Sequence, residues 1–429
     1  MDREKLKGEI IIRQEEEEEE IKNIEDFKKI IESVLNKDIS DILKKILSGA
    51  IVLNSSDVHF EPKEREVLLR IRLDGILYDV FIFPIKLYKE ILLRLKILSG
   101  MKINITDRPQ DGRFTVFCDG REIEIRSASL LSEWGESFVI RILDPKNLKN
   151  LNELGLREDL LFLFKREIKR PHGMIIVTGP TGAGKTTTLY AFLAEIKNPE
   201  IKIITIENPI EYHLSGVVQT QVDPSKGYDF VNGLRAIMRQ DPDVILVGEI
   251  RDLETAELAL QAALTGHLVL STLHTNDAAG VVARFLALGA KPFHIAPALK
   301  LVVAQRLARR VCKKCVQLRK VSKSQFDIFK KFLDNIKGIQ LYSDLEIPVA
   351  KGCPECNFTG YKGRIGIFEA FVVDGEIEAL ILQKPPASLL KQKAKEKGMI
   401  TLAQDGLLKI LDKITTFEEI EKVIGFFED

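Results

Sequence analysis

Eight residues constrain this chain more tightly than any others: Gly179-Pro180-Thr181-Gly182-Ala183-Gly184-Lys185-Thr186. They satisfy G-x-x-x-x-G-K-[ST] in full. The apolar run 174–178 leads into them as a strand, and 187–196 leads out as a helix. Glycines let the backbone close around phosphate oxygens that a Cβ would hold off. The helix N-terminus and the loop N–H groups supply partial positive charge. Gly179, Pro180, Thr181, Gly182, Ala183, Gly184 and Thr187 are therefore expected to line a nucleotide phosphate site. Lys185 is expected to reach the β- and γ-phosphates, and Thr186 to offer its hydroxyl to Mg²⁺.

A phosphate loop alone does not separate a kinase, a switch GTPase and a motor. The apolar runs 202–206, 244–247 and 268–272 alternate with helical stretches, which predicts a parallel sheet covered by helices on both faces. Ligands bind such sheets at the carboxyl ends of the strands. There 244–247 runs into Gly248-Glu249, 203–206 into Glu207-Asn208-Pro209-Ile210-Glu211, and 268–272 into His274. Glu249 is placed to orient water toward the γ-phosphate, with a surface acid paired to Arg251 as the plainer alternative. Glu207 is expected beside the same crevice. His274 can sense the γ-phosphate by hydrogen bonding. His267, just before that strand, is a weaker candidate for the same site.

Lys+Arg and Asp+Glu both number 63, so the formal net charge is zero. Bulk attraction to nucleic acid or acidic lipid is thereby disfavoured. No stretch approaches the ~18 uncharged apolar residues of a membrane span. The amino terminus, Met1-Asp2-Arg3-Glu4-Lys5, has no signal-peptide apolar region, so a cytosolic location is expected. Six glutamates at 15–20 read as a solvated, self-repelling segment.

Two Cys-x-x-Cys pairs, Cys312/Cys315 and Cys353/Cys356, fit a tetrahedral zinc site. A redox dithiol is the rival reading, and doubling of the pair weighs against it. With sulfur in all four ligand places the site would be structural.

The expected organisation is a short acidic and helical segment (1–50), a small α+β domain (51–145), a linker (146–165), an α/β P-loop domain (166–311), a tetracysteine zinc module (312–370) and a helical carboxy-terminal region (371–429). In the small domain, Asp74-Gly75 and Asp119-Gly120 signal two tight hairpins. Thr416 and Glu419 form a capping-box candidate near the carboxy terminus.

The ordered blocks extend well beyond the phosphate loop. They include Ser56-Asp57-Val58-His59-Phe60-Glu61-Pro62, Arg70-Ile71-Arg72-Leu73-Asp74-Gly75 and Arg108-Pro109-Gln110-Asp111-Gly112-Arg113. The acid-bearing stretches 205–212, 234–243 and 248–252 and the histidine-bearing 265–276 follow. Together they resemble the secretion ATPases of type II secretion and type IV pilus assembly, over almost all of the chain after residue 50. The resemblance implies an α/β fold: a RecA-like P-loop ATPase domain, a smaller α+β (PAS-like) N-terminal domain, a tetracysteine zinc module and C-terminal helices.

It also implies ATP, Mg²⁺ and Zn²⁺ as bound groups, and a homo-hexamer on the cytoplasmic face of the inner membrane. Partners would be platform and anchoring membrane proteins, with no nucleic acid. It points to Arg113 and Arg126 in the small domain and Arg235, Arg239 and Arg251 in the ATPase domain as charges completing the site. Arg113 and Arg239 are the favoured pair, and Arg126 could equally be structural. The family's glycine before the glutamate matches Gly248. Its acidic box usually reads Glu-Asp-Pro-x-Glu, and here Asn208 replaces the aspartate. A ring translocase acting on nucleic acid and a nucleotide-binding scaffold without turnover remain the alternatives. Few aromatic side chains (7%) weigh against the first, and intact Lys185 and Glu249 against the second.

Overall fold

The computed structural model describes residues 10–12, 20–336, 338–342 and 344–425. Of the six-glutamate run, only Glu20 lies within the described residues, and it is exposed. The chain divides into two compact units: Met1–Asn147 with Lys351–Lys362, and Leu148–Ala350 with Gly363–Asp429.

The first unit is built on a seven-stranded sheet. In chain order its elements are β1 (Ile10–Ile12), α1 (Ile24–Val34), α2 (Ile39–Val52), β2 (Asp57–Pro62), β3 (Glu66–Leu73), β4 (Ile76–Pro84), α3 (Ile85–Leu98), β5 (Gln110–Cys118), β6 (Arg121–Ser132) and β7 (Gly135–Leu143). The sheet order is β1-β5-β6-β7-β2-β3-β4. All pairings are antiparallel except β1 with β5. Both hairpins expected at Asp-Gly pairs are present. Asp74, Gly75, Asp119 and Gly120 all have positive φ, as a tight turn matching strand twist requires.

The amino-terminal helices do not stand apart from this unit. Phe27, Ile31, Ile42, Ile46 and Leu47 are fully buried in one cluster with Phe60, Leu69, Ile91 and Ile140. A sheet face must be covered, and each such side chain contributes about 1.5–3 kcal/mol when buried. The boundary expected at residue 50 is therefore not a boundary of packing. The second cysteine pair lies in the same unit, where the Asn357 side-chain carbonyl accepts from the Ile24 N–H at 2.7 Å, capping the start of α1.

The second unit contains α4 (Glu158–Glu167), β8 (Gly173–Thr178), α5 (Lys185–Ile196), β9 (Ile203–Glu207), β10 (Val218–Gln221), α6 (Phe230–Ile237), β11 (Val244–Val247), α7 (Leu253–Leu264), β12 (Leu268–Leu273), α8 (Gly280–Leu288), α9 (Pro292–Ala298) and β13 (Leu299–Val311). After these come β14 (Gln317–Lys320), α10 (Lys323–Leu333), β15 (Glu346–Val349), β16 (Tyr361–Val372), α11 (Gly375–Leu382), α12 (Ala387–Glu396), α13 (Leu402–Leu411) and α14 (Phe417–Ile424). Its main sheet has the order β10-β9-β11-β12-β8-β13-β16, and the pairings from β10 through β13 are parallel.

Successive side chains of β8 enter opposite layers. Met174 and Ile176 belong to one apolar cluster and Ile175 and Val177 to the other. A strand buried on both faces reads as one continuous apolar run, which is how β8, β11 and β12 show in the sequence.

Three expectations are corrected here. The stretch 146–165 is not an open linker: it holds two 3-10 turns and most of α4, whose Leu160 and Phe164 are buried. The region 312–370 is not a separate module, because β16 joins the main sheet and Phe329, Leu333 and Ile347 are buried in the same apolar cluster as Ile206 and Val302. At α14, Thr416 caps through the Glu419 N–H, but the Glu419 carboxylate is taken by Arg309, at 3.0 Å from both its N–H and its Nε. A guanidinium is a stronger partner for a carboxylate than a single backbone N–H.

Candidate active site

The sheet brings four chain segments to one edge. Gly179 follows β8, Glu207 ends β9, Gly248 and Glu249 follow β11, and His274 follows β12. All four lie at the carboxyl ends of parallel strands, where fold rules place ligands.

The phosphate loop is seated on β13. A Cβ on Gly179, whose φ is +152°, would lie 2.5 Å from the Gln305 carbonyl oxygen, so no other residue fits. The Lys185 ammonium donates to the carbonyls of Gly179 at 2.9 Å and Pro180 at 3.1 Å, which keeps it inside the loop. Burial pulls its pKa below the ordinary lysine value, with Glu249 opposing and Arg306 adding to the shift. Thr186 and Thr187, on the first turn of α5, are half-buried. On that same helix, the Thr188 hydroxyl is buried and donates to Gln305 Oε1 at 2.7 Å.

Glu249 is mostly buried, with its side chain 14% exposed. Its Oε2 lies 2.7 Å from Arg251 Nε and 3.8 Å from His274 Nε2. The pairing with Arg251 and the placement at the crevice therefore hold together. Burial, followed by the nearby Lys185 charge, depresses the His274 pKa below its ordinary 6.5. Gly248 is explained by space: a Cβ there would sit 3.3 Å from both Glu207 Cα and the Ile206 carbonyl oxygen. Its N–H donates to that carbonyl at 2.8 Å, and the Thr272 hydroxyl donates to the Gly248 carbonyl at 2.8 Å. The backbone bearing Glu249 is thus held from both neighbouring strands.

Glu207 departs from expectation. It ends β9 as predicted, but its carboxylate is 3% exposed and accepts from the Tyr190 phenol, the Thr205 hydroxyl at 2.6 Å and the Gln219 amide at 3.2 Å. Burial pushes its pKa up, against those three hydrogen bonds. It faces the interior because α5 and β10 supply partners there. Asn208 is exposed beside it.

Two other candidates, His267 and Arg239, lie toward the opposite end of the sheet. His267 precedes β12 at the opposite, amino end, where its Nδ1 lies 3.0 Å from the Ala262 carbonyl. Arg239 lies in the 3-10 turn Met238–Gln240, whose Gln240 carbonyl accepts from Lys202 at the amino ends of β9 and β11. Arg235 is half-exposed and paired with Glu254 at 2.6 Å. Arg113 and Arg126, in the other unit, are direct cross-strand partners on β5 and β6. The same register continues from Arg126 to Arg141, and from Arg141 to Asp57 on β2.

Sequence reading missed Tyr190, Thr275 and Arg306. Thr275 donates its N–H to the Thr178 hydroxyl at 2.8 Å, tying the His274 loop to the end of β8. Arg306 donates to the carbonyls of Asn276 at 2.7 Å and Gln305 at 3.0 Å. Tyr190 reads as an ordinary core position of a helix. Arg306 lies on a strand that merges with a long apolar run, and nothing in its local pattern distinguishes it.

The four cysteine sulfurs Cys312, Cys315, Cys353 and Cys356 lie within 4.8 Å of one another. Ligands about 2.3 Å from a tetrahedral zinc would stand roughly 3.8 Å apart, and the Cys353–Cys356 sulfur separation is 3.7 Å. Cys356 Sγ accepts from the N–H groups of Cys353 at 3.2 Å and Gly360 at 3.3 Å, which suits a thiolate. The donor set fits one structural metal ion.

A parallel sheet, a phosphate loop at its carboxyl edge after β8 and an acid at the end of β11, with β12 between them, define an α/β P-loop ATPase fold. A family model described as "Type II/IV secretion system protein" matches residues 32–422. The type II secretion system protein E of Pectobacterium carotovorum subsp. carotovorum is 42% identical over 416 residues, covering 94% of this chain and 81% of the relative. The type IV pilus assembly ATPase PilB of Myxococcus xanthus is 40% identical over 414 residues, covering 94% and 70%. Among solved structures, the pilus retraction motor PilT with bound ADP matches at TM-score 0.60 and 26% identity, covering 88% of this chain and 95% of that one. The chain belongs to the type II/IV secretion system protein family, and within it to the secretion and pilus-assembly ATPases. Among the described residues, no helix is long and apolar enough to cross a membrane.

Proposed function

We propose that this ATPase works as a homo-hexameric ring on the cytoplasmic face of the inner membrane, driving fibre assembly in type II secretion or type IV pilus biogenesis. The observation that carries the reading is the convergence of Lys185, Glu249 and His274 at one sheet edge. Lys185 would neutralise the β- and γ-phosphate oxygens. Glu249 would orient the attacking water, and His274, neutral at pH 7, would report on the γ-phosphate by hydrogen bonding. Water then forms the new P–O bond, the bond to the ADP oxygen breaks, and the water proton passes to phosphate and solvent. Thr186 would hold Mg²⁺, which neutralises charge on the transferring group.

Arg235 and Arg239 are solvent-facing, which suits charges offered to a neighbouring protomer. Arg113 and Arg126, side by side in register, suit the same role from the small domain. The first unit's antiparallel strands β2–β7 are consistent with a PAS-like α+β domain. Zinc is the ion that four thiolates of this spacing favour. Attachment to the membrane would run through a platform or anchoring protein.

The test is phosphate release by the full chain. Glu249→Gln should keep nucleotide binding and lose turnover by about 10²-fold or more, whereas Lys185→Ala should lose binding. Release should rise on adding the cytoplasmic domain of a membrane platform protein and not on adding DNA. Undiminished turnover in Glu249→Gln would overturn the reading.

A further inference from the structure

Glu369 is 1% exposed on β16, yet nothing in the reaction scheme uses it. Among the described residues its carboxylate has two hydrogen-bond partners, both backbone. Oε1 accepts from the Ala278 N–H at 2.9 Å and Oε2 from the Leu402 N–H at 3.2 Å. Ala278 belongs to the loop that starts at His274. Leu402 is the first residue of α13, in the carboxy-terminal helical region.

A second contact ties the same two parts together. Lys391 on α12 donates to Asp277 Oδ2 at 3.1 Å, while Asp277 Oδ1 accepts from the Gly280 N–H at 2.9 Å. The loop is also fastened to the sheet, through Thr275 to Thr178 and through Arg306 to the Asn276 carbonyl. The stretch from His274 to Ala278 is thus held on one side by the β8 end and on the other by the helices α12 and α13.

Burying a carboxylate without a contacting cation is costly. What a carboxylate alone offers here is two acceptor oxygens, one for each N–H arriving from a separate element. Glutamine has one acceptor oxygen and would leave one of the two N–H groups facing an amide NH₂.

We propose that Glu369 is a positioning residue that clamps the His274 loop to the carboxy-terminal helices, so that movement of those helices is felt at the γ-phosphate. The inference rests on the reading of His274 as the group facing that phosphate. It acts through His274 and touches neither nucleotide nor water.

Glu369→Gln in the full chain should lower kcat about tenfold or more while KM for ATP stays within about twofold, because a misplaced loop costs the transition state and not ground-state binding. Lys391→Met should shift kcat in the same direction by a smaller factor. A kcat in Glu369→Gln within about twofold of the parent would overturn the proposal. So would a fall in apparent kcat no larger than the fall in folded fraction, since losing folded enzyme lowers kcat and leaves KM unchanged.

Should Glu369→Gln fail to fold, hydrogen exchange on the unaltered chain decides. Adding Mg²⁺ and a slowly hydrolysed ATP analogue should slow exchange in 274–280 and 400–404 together, and slowing confined to 274–280 would sink the idea. Absence of any Glu249-dependent phosphate release would instead strike the ATPase reading, leaving the exchange result to judge the clamp.

Discussion

The phenol of Tyr190, on the helix that follows the phosphate loop, donates its hydrogen bond to the buried carboxylate of Glu207 at the end of the neighbouring acidic strand. The two side chains are 1% and 3% exposed. Movement of the phosphate-loop helix and of the acidic segment is therefore linked through this hydroxyl, which also accepts from the Glu211 N–H at 3.3 Å. Tyr190→Phe removes it and leaves Glu207 with Thr205 and Gln219. We expect a loss of about 1–3 kcal/mol in stability, read by denaturant unfolding, together with reduced turnover. Unchanged stability would mean that the bond carries no net energy.

In the small domain, Lys96 and Glu136 form a buried pair, with Nζ 2.8 Å from both carboxylate oxygens and 2.6 Å from the Ile105 carbonyl. The side chains are 2% and 5% exposed, so removing one partner leaves the other charged and dry. Lys96→Met should cost about 3–5 kcal/mol. The double variant Lys96→Met with Glu136→Gln should recover part of that loss. A double variant no better than the single would contradict this account.

The cysteine cluster predicts one zinc per chain. Cys356→Ser should abolish stoichiometric zinc, measured by elemental analysis, and lower the thermal midpoint by several degrees. Since Asn357 caps α1, exchange of the Ile24 amide should quicken as well. Full zinc occupancy in Cys356→Ser would refute the four-sulfur site.

His274 has its pKa held below 6.5 by burial and by Lys185. A base whose pKa is depressed on folding contributes stability that is complete above its unfolded value and is lost as pH falls through the folded one. The imidazole should thus be neutral at pH 7, and the acid limb of the turnover profile attributable to it should lie below pH 6.5. His274→Gln should remove that limb. A limb unchanged in the variant would assign it to another group.

Much of this architecture was readable in advance because its causes are local. Asp74-Gly75 and Asp119-Gly120 form turns wherever they occur between strands, since both positions need positive φ. The doubly buried strands declare themselves as unbroken apolar runs. Other features depend on which element arrives from far along the chain. Glu207 and Glu249 look alike as acids ending strands. Only the approach of Tyr190 and Gln219 turns the first inward, while Arg251 and His274 hold the second at the crevice.

The amino-acid order alone determined the phosphate loop, the cysteine quartet and the family, because motif spacing encodes short-range geometry directly. Tertiary packing decided that α1 and α2 share the small domain's core and that β16 extends the ATPase sheet. Their local pattern does not contain these outcomes. Each follows from long-range burial and hydrogen bonding, which choose among several placements that the local sequence leaves equally allowed.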